Sequence, residues 1–110
     1  HDIVILSDYN KGIFNKNLLA EIIKISNKNK IPVVIDPKQK NFNLYRGADL
    51  ITPNQIEASK VSNLICNTDK RTEISGKNII KKYGIKEVLI TRGEEGLSFI
   101  NKKKKFAFKN

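Results

Sequence analysis

The stretch Ile31-Pro32-Val33-Val34-Ile35-Asp36-Pro37 decides how this chain folds. An unbroken, β-branched apolar run of this length suits a strand of a parallel sheet covered on both faces, where no polar residue has to alternate. Pro32 lies near its start, where a missing donor is tolerable. The run stops at Asp36-Pro37, because the residue before a proline is pushed away from helix. Upstream, Asp2-Ile3-Val4-Ile5-Leu6 is a second run of the same kind, expected to be buried on both faces. Between the two, Leu18, Leu19, Ile22 and Ile23, with Ile25 beside them, recur at helical spacing. That helix is expected from an N-cap at about Asn15 to Asn29, with Glu21, Lys24 and Lys28 off its apolar stripe.

Working downstream, residues 47–52 predict a short third strand, and Pro53 is expected to open a helix through about Val61. Residues 69–83 predict a helix with Ile74, Ile79, Ile80 and Tyr83 inward and Gly84 as its left-handed stop. Residues 87–91 read as a fourth strand. Leu97-Ser98-Phe99-Ile100 and Lys105-Phe106-Ala107-Phe108 flank a lysine-rich turn, which suggests a terminal hairpin. No repeat or flexible linker interrupts this alternation. It argues for one α/β unit with a mostly parallel sheet and helices on its faces. In such sheets ligands sit beyond the carboxyl ends of the strands, so the loops after Leu6, Ile35, Ile51 and Ile90 matter most.

Composition narrows the classes. The chain has 110 residues, 39% apolar and 29% charged, which is globular rather than disordered. Its apolar runs are far shorter than the roughly 20 residues a membrane helix needs. No leader of charged-then-apolar type is visible, so no membrane partner is expected. The lone Cys66 cannot form an internal disulfide, which fits a reducing cytoplasm, and it reads as a small buried filler. The formal charge of +10 invites a nucleic-acid partner, but only three of the 21 basic residues are Arg (Arg46, Arg71 and Arg92). Nucleic-acid readers favour the Arg fork, and aromatics for base stacking are thin here. Abundant Ile, Lys and Asn instead point to A/T-rich codons, and no nucleic-acid partner is expected.

The loops carry whatever chemistry the chain has. Thr52-Pro53-Asn54-Gln55-Ile56-Glu57 places Asn54 and Glu57 three apart at a helix start, so both project from one turn. A carboxylate there can hold a metal-bound water and the amide can bond a phosphate; the plainer reading is an acidic residue complementing the helix dipole. Thr91-Arg92-Gly93-Glu94-Glu95-Gly96 could let backbone approach a phosphate, or could simply be a tight strand-to-strand turn. Asp36-Pro37-Lys38 sets a carboxylate and a cation at a strand end, and Asp8 with Lys11 does the same in Ser7-Asp8-Tyr9-Asn10-Lys11-Gly12. Lysines so placed can offset phosphate charge or can be solvated surface. No nucleophile–His–acid triad is possible around the single His1, and one Cys with one His builds no structural zinc site.

Taken in order, these segments, together with Tyr45-Arg46-Gly47-Ala48-Asp49, resemble the ribokinase-like (PfkB) carbohydrate kinases over essentially all 110 residues. Asn-x-x-Glu and Thr-x-Gly-x-x-Gly are the family-wide patterns. Ser-Asp-Tyr-x-Lys-Gly and Asp-Pro-Lys are similar to its heptose 7-phosphate kinase branch. The resemblance implies a three-layer α/β/α ribokinase-like fold with a mostly parallel sheet. It implies an ATP- and Mg²⁺-dependent transfer of the γ-phosphoryl group to the sugar's anomeric hydroxyl, in the cytoplasm, with a homodimer possible in the whole protein; the alternatives are another sugar kinase of the family and a non-catalytic α/β binding domain whose kinase-like loops are only scaffold. Asn54 and Glu57 would organise Mg²⁺-bound waters and ATP phosphates, with Glu57 reaching the metal through water. Thr91, Gly93 and Gly96 would line the nucleotide site; Asp36, Lys38, Asp8 and Lys11 would face the transferred or substrate phosphate.

Two family elements are missing. No Gly-Ala-Gly-Asp sequence, which supplies the family's catalytic Asp, occurs here, and neither does the amino-terminal substrate region with its lid. The resemblance therefore implies that residues 1–110 are a central fragment, inactive alone, and that no carboxylate present is the base.

Overall fold

A computed structural model describes residues 2–7, 16–38, 40–102 and 105–108. Four strands, β1 (Val4–Ser7), β2 (Val33–Asp36), β3 (Leu50–Ile51) and β4 (Glu87–Thr91), run parallel. The hairpin β5 (Leu97–Asn101) and β6 (Lys105–Phe108) continues the sheet antiparallel, giving the order β1-β2-β3-β4-β5-β6. Helix α1 (Lys16–Lys28) joins β1 to β2, and α2 (Gln55–Ser62) with α3 (Asp69–Tyr83) joins β3 to β4. The mostly parallel α/β sheet and the terminal hairpin are as the sequence predicts.

Because the parallel strands follow in sequence without reversal, right-handed crossovers place every connecting helix on the same face. The registers bear this out. Val33, Ile35, Ile51, Val88, Ile90 and Ile100 share one face and form a single core with Leu19 and Ile23 of α1, Ala58 of α2 and Ile79, Ile80 and Tyr83 of α3. Ile5, Val34, Leu50, Leu89 and Phe99 point the other way, and none of them is fully buried. The expectation that β1 is buried on both faces therefore fails. Among the described residues β1 is one of the two edge strands, and Ile5 in it and Ile3 just before it are 69% and 55% exposed.

Several local expectations also shift. Helix α1 buries Leu19, Ile23 and Ser26, whereas Leu18 and Ile25 stay largely exposed, because a helix of 3.6 residues per turn turns one narrow stripe to a flat sheet. In α3, Ile74 is exposed and the contact is made by Thr72, Ser75, Gly76, Ile79, Ile80 and Tyr83. Gly76 lets the helix sit directly on β5: a Cβ there would lie 2.6 Å from Ile100 Cδ1. Strand β3 is shorter than expected, since Ala48 belongs to a turn closed on Tyr45. Gly84 does end α3 in the left-handed region, at φ 64°, with its N–H bonded to the Ile80 carbonyl. The expected N-cap Asn15 lies outside the described residues.

Candidate functional site

Strands β2, β3 and β4 all point their carboxyl ends to one end of the sheet, and the loops after Ile35, Ile51 and Ile90 meet there. Pro53 does not begin α2; it precedes Asn54, the residue that caps the helix. Asn54 Oδ1 accepts from the Glu57 N–H at 2.8 Å, and Glu57 Oε1 accepts from the Asn54 N–H at 2.8 Å. This reciprocal pair is a capping box, which satisfies two amides that the first helical turn leaves without internal partners. The plain reading of Asn54-x-x-Glu57 as a helix start therefore holds at the level of local structure. It also fixes the carboxylate: with Oε1 engaged, Oε2 faces the next loop, 4.0 Å from Lys38 Nζ.

That lysine bridges two elements. Lys38 Nζ lies 3.6 Å from Asp36 Oδ2 at the end of β2, so Asp36, Lys38 and Glu57 form one cluster across the β2 and β3 ends. Pro37 between them is buried and turns the chain so that Lys38 emerges toward α2. All three charged side chains remain partly open to solvent, so these contacts are loose electrostatic neighbours rather than fixed ion pairs.

The third loop is tied to the second by backbone. Thr91 N–H donates to the Pro53 carbonyl at 3.1 Å, and Thr91 and Asn54 form a parallel bridge. The 91–96 segment is a tight connection between antiparallel β4 and β5, closed by Arg92 N–H to the Gly96 carbonyl at 2.8 Å. Gly93 at φ 55° and Gly96 at φ 99°, ψ −145° adopt conformations that L side chains strongly disfavour. A Cβ at Gly93 would meet nothing within 4 Å, so this glycine leaves an open approach to the backbone. Asn54, Glu57, Thr91, Gly93, Gly96, Asp36 and Lys38 thus stand on one edge; Asp8 and Lys11 lie outside the described residues.

Sequence reading missed Arg92 as a residue of interest. Its side chain is 3% exposed, paired with Asp69 Oδ1 in the first turn of α3 and, at 3.3 Å, with Glu95 Oε2. Tyr45-Arg46-Gly47-Ala48-Asp49 is structural and sits at the opposite, amino end of the strands. There Asp49 Oδ2 accepts from the Val33 N–H, and Arg46 Nη2 donates to the Lys82 carbonyl at the end of α3. The hollow of about 500 Å³ beside Lys77, Ile80, Gly84, Ile85 and Lys86 is also at that end, away from the loop cluster. Cys66 is buried as expected, its N–H donating to Ser59 Oγ. Among the described residues no three His, Cys, Asp or Glu side chains gather as an all-protein metal cage, and no helix is long and apolar enough to cross a membrane.

Comparison with known proteins matches this arrangement. The chain is 38% identical over 97 residues to the bifunctional protein HldE of Geobacter sulfurreducens, covering 88% of this chain and 20% of that protein. The Actinobacillus succinogenes protein of the same name is 40% identical over 97 residues, with the same coverage. The chain therefore spans about a fifth of the length of these curated relatives. Among solved structures, Arabidopsis thaliana ribokinase complexed with ribose and ATP superposes with a TM-score of 0.80 at 20% identity, over 97% of this chain and 34% of the ribokinase. Phosphofructokinase-2 from Escherichia coli in complex with fructose-6-phosphate gives 0.78 at 17% identity, over 97% and 36%. These likenesses establish a ribokinase-like fold. The description "pfkB family carbohydrate kinase" matches residues 2–110, and the chain belongs to that family.

Proposed function

We propose that residues 1–110 are the central part of a sugar kinase domain whose amino-terminal lid region and carboxyl-terminal catalytic segment lie elsewhere in a longer protein. The parent transfers the γ-phosphoryl group of ATP to the anomeric hydroxyl of heptose 7-phosphate, giving the 1,7-bisphosphate. The observation that carries this reading is the convergence of Asp36, Lys38, Asn54, Glu57 and the 91–96 loop on one edge of the sheet. The heptose assignment rests on the similarity of the Ser7-to-Gly12 and Asp36-to-Lys38 segments to that branch of the family. The exposed Ile5 on edge strand β1 and Ile3 just before it support a larger domain, since apolar residues of this kind are ordinarily covered.

The donor set suits Mg²⁺, which takes one or two carboxylates with phosphate oxygens and keeps several waters. When bound, the metal neutralises charge developing on the transferred phosphoryl group. Glu57 has one carboxylate oxygen held by the cap and the other turned outward, which suits contact with a metal-bound water. Asn54 orients that carboxylate. Lys38 supplies a cation for a phosphate, with the Asp36 carboxylate as its loose neighbour at 3.6 Å. The glycines of the 91–96 loop let main chain approach the nucleotide, and Thr91 adds a hydroxyl donor. None of these residues removes the proton from the sugar hydroxyl; that base lies outside this chain.

Glu57→Gln tests the reading in the parent protein. Glutamine retains the capping box and removes the charge. Unchanged thermal stability with Mg²⁺-dependent ATP turnover lowered about a hundredfold is the expected result. Turnover as little affected as by Glu21→Gln, an exposed site on α1, would remove Glu57 from the site. Assaying a panel of sugar phosphates with the parent tests the heptose assignment directly.

A further inference from the structure

Arg92 is the most deeply buried cation among the described residues. Its guanidinium lies beneath two carboxylates that are themselves open to solvent: its side chain is 3% exposed, against 41% for Asp69 and 62% for Glu95. Its Nε is buried with no hydrogen-bond partner. Burying a guanidinium carries a desolvation cost, and an apolar residue of similar volume often stabilises a fold as well or better. A turn between two antiparallel strands needs no such residue. What the ion pairs do provide is direction, because the planar Arg fork fixes the groups on either side of it. One side is the 91–96 loop, through Glu95 and the Arg92 backbone. The other is Asp69, the first residue of α3.

We propose that Arg92 is a positioning residue for the nucleotide contact of the 91–96 loop, clamping that loop against the first turn of α3. This rests on the kinase reading above. Arg92 cannot itself reach a phosphate without leaving its buried place, so it acts through the backbone it holds. Besides the closing Arg92 N–H bond to the Gly96 carbonyl, Glu95 N–H donates to the Arg92 carbonyl and Gly96 N–H to the Gly93 carbonyl, and these amides report whether the loop keeps its shape.

The test uses the whole parent protein and ADP with Mg²⁺ as the probe. Arg92→Met is expected to weaken ADP binding about tenfold by calorimetry, while heptose 7-phosphate binding changes less than about twofold. Without nucleotide, the Glu95 and Gly96 amides should exchange hydrogen about tenfold faster, with Val88 and Ile90 in β4 still protected. Arg92→Lys should recover part of the affinity, since it restores the charge without the fork. Should Arg92→Met fail to fold, Asp69→Asn gives the same direction with a smaller effect. If Arg92→Met folds, adding Asp69→Asn to it should bring no further loss. ADP affinity and loop exchange that stay unchanged in Arg92→Met or Asp69→Asn would overturn the positioning role and leave the kinase reading standing. A fall in melting temperature alone, with unchanged ADP affinity, would reduce Arg92 to a structural residue. Wild-type protein that binds no ADP would overturn the kinase reading and this inference with it.

Discussion

At the amino end of the parallel strands, Asp49 accepts from the Val33 N–H at 2.7 Å and from Lys86 Nζ at 3.0 Å. At the carboxyl end, Asp36 and Glu57 face a single lysine at 3.6 and 4.0 Å. Both ends carry Asp, Lys, Arg and Gly, yet they use them differently. Asp49 binds a neighbouring strand's backbone, Arg46 binds a carbonyl at the end of α3, and Gly84 packs against Arg46. The carboxyl-end charges meet one another loosely, and Gly93 faces open space. A family resemblance that treats all these segments alike therefore mixes two kinds of residue. One kind holds the frame, and the other leaves charged side chains and glycine backbone partly open to solvent at the carboxyl end.

The sharpest way to break this division is Glu57→Gln, with its expected hundredfold loss of turnover and no loss of stability. Its counterpart at the amino end is Asp49→Ala, which leaves the Val33 N–H without its 2.7 Å acceptor. It should cost about 2 kcal/mol in denaturant unfolding of the parent and leave ADP affinity unchanged. A lowered ADP affinity would mean that the two ends are coupled. The glycines offer a matched pair, both in the left-handed region at φ 64° and 55°. Gly84→Ala should destabilise by about 2 kcal/mol, since its Cβ would lie 2.9 Å from Arg46 Nη1. Gly93→Ala meets no neighbour and should cost about 1 kcal/mol from backbone strain alone, with its larger effect on ADP binding. Equal effects on both readouts would erase the distinction. Lys38→Met, like Glu57→Gln, should leave stability within about 0.5 kcal/mol of wild type, with KM for the phosphorylated sugar raised about tenfold.

How much of this was legible in the sequence depends on how local each feature is. The capping box involves residues three apart, so Asn54-x-x-Glu57 could be read at a helix start without any tertiary information. The left-handed stop at Gly84 was legible for the same reason. Pro53 is expected two positions too far into the helix, because the cap is the residue whose side chain accepts from an amide of the first turn, and Asn54 Oδ1 does so from the Glu57 N–H. Ile74 was placed inward on its apolarity. The packed surface of α3 instead carries small residues: Gly76 lies against Ile100 of β5, and Ser75 lies against α2, its Oγ 2.7 Å from Ser62 Oγ. Arg92 carried no sequence signal. It is buried because the first turn of α3, more than twenty residues earlier in the chain, lies over it.

By itself the sequence determined the element types, the mostly parallel character of the sheet and the order of the loops, since hydrophobic period, proline and glycine act within a few residues. Tertiary structure alone decided which face of the sheet the helices cover. It also decided that Asp36, Lys38, Glu57 and the 91–96 loop share one end while Asp49 works at the other. Those outcomes depend on crossover handedness and strand order, which bring together residues separated by tens of positions and leave no local pattern to read.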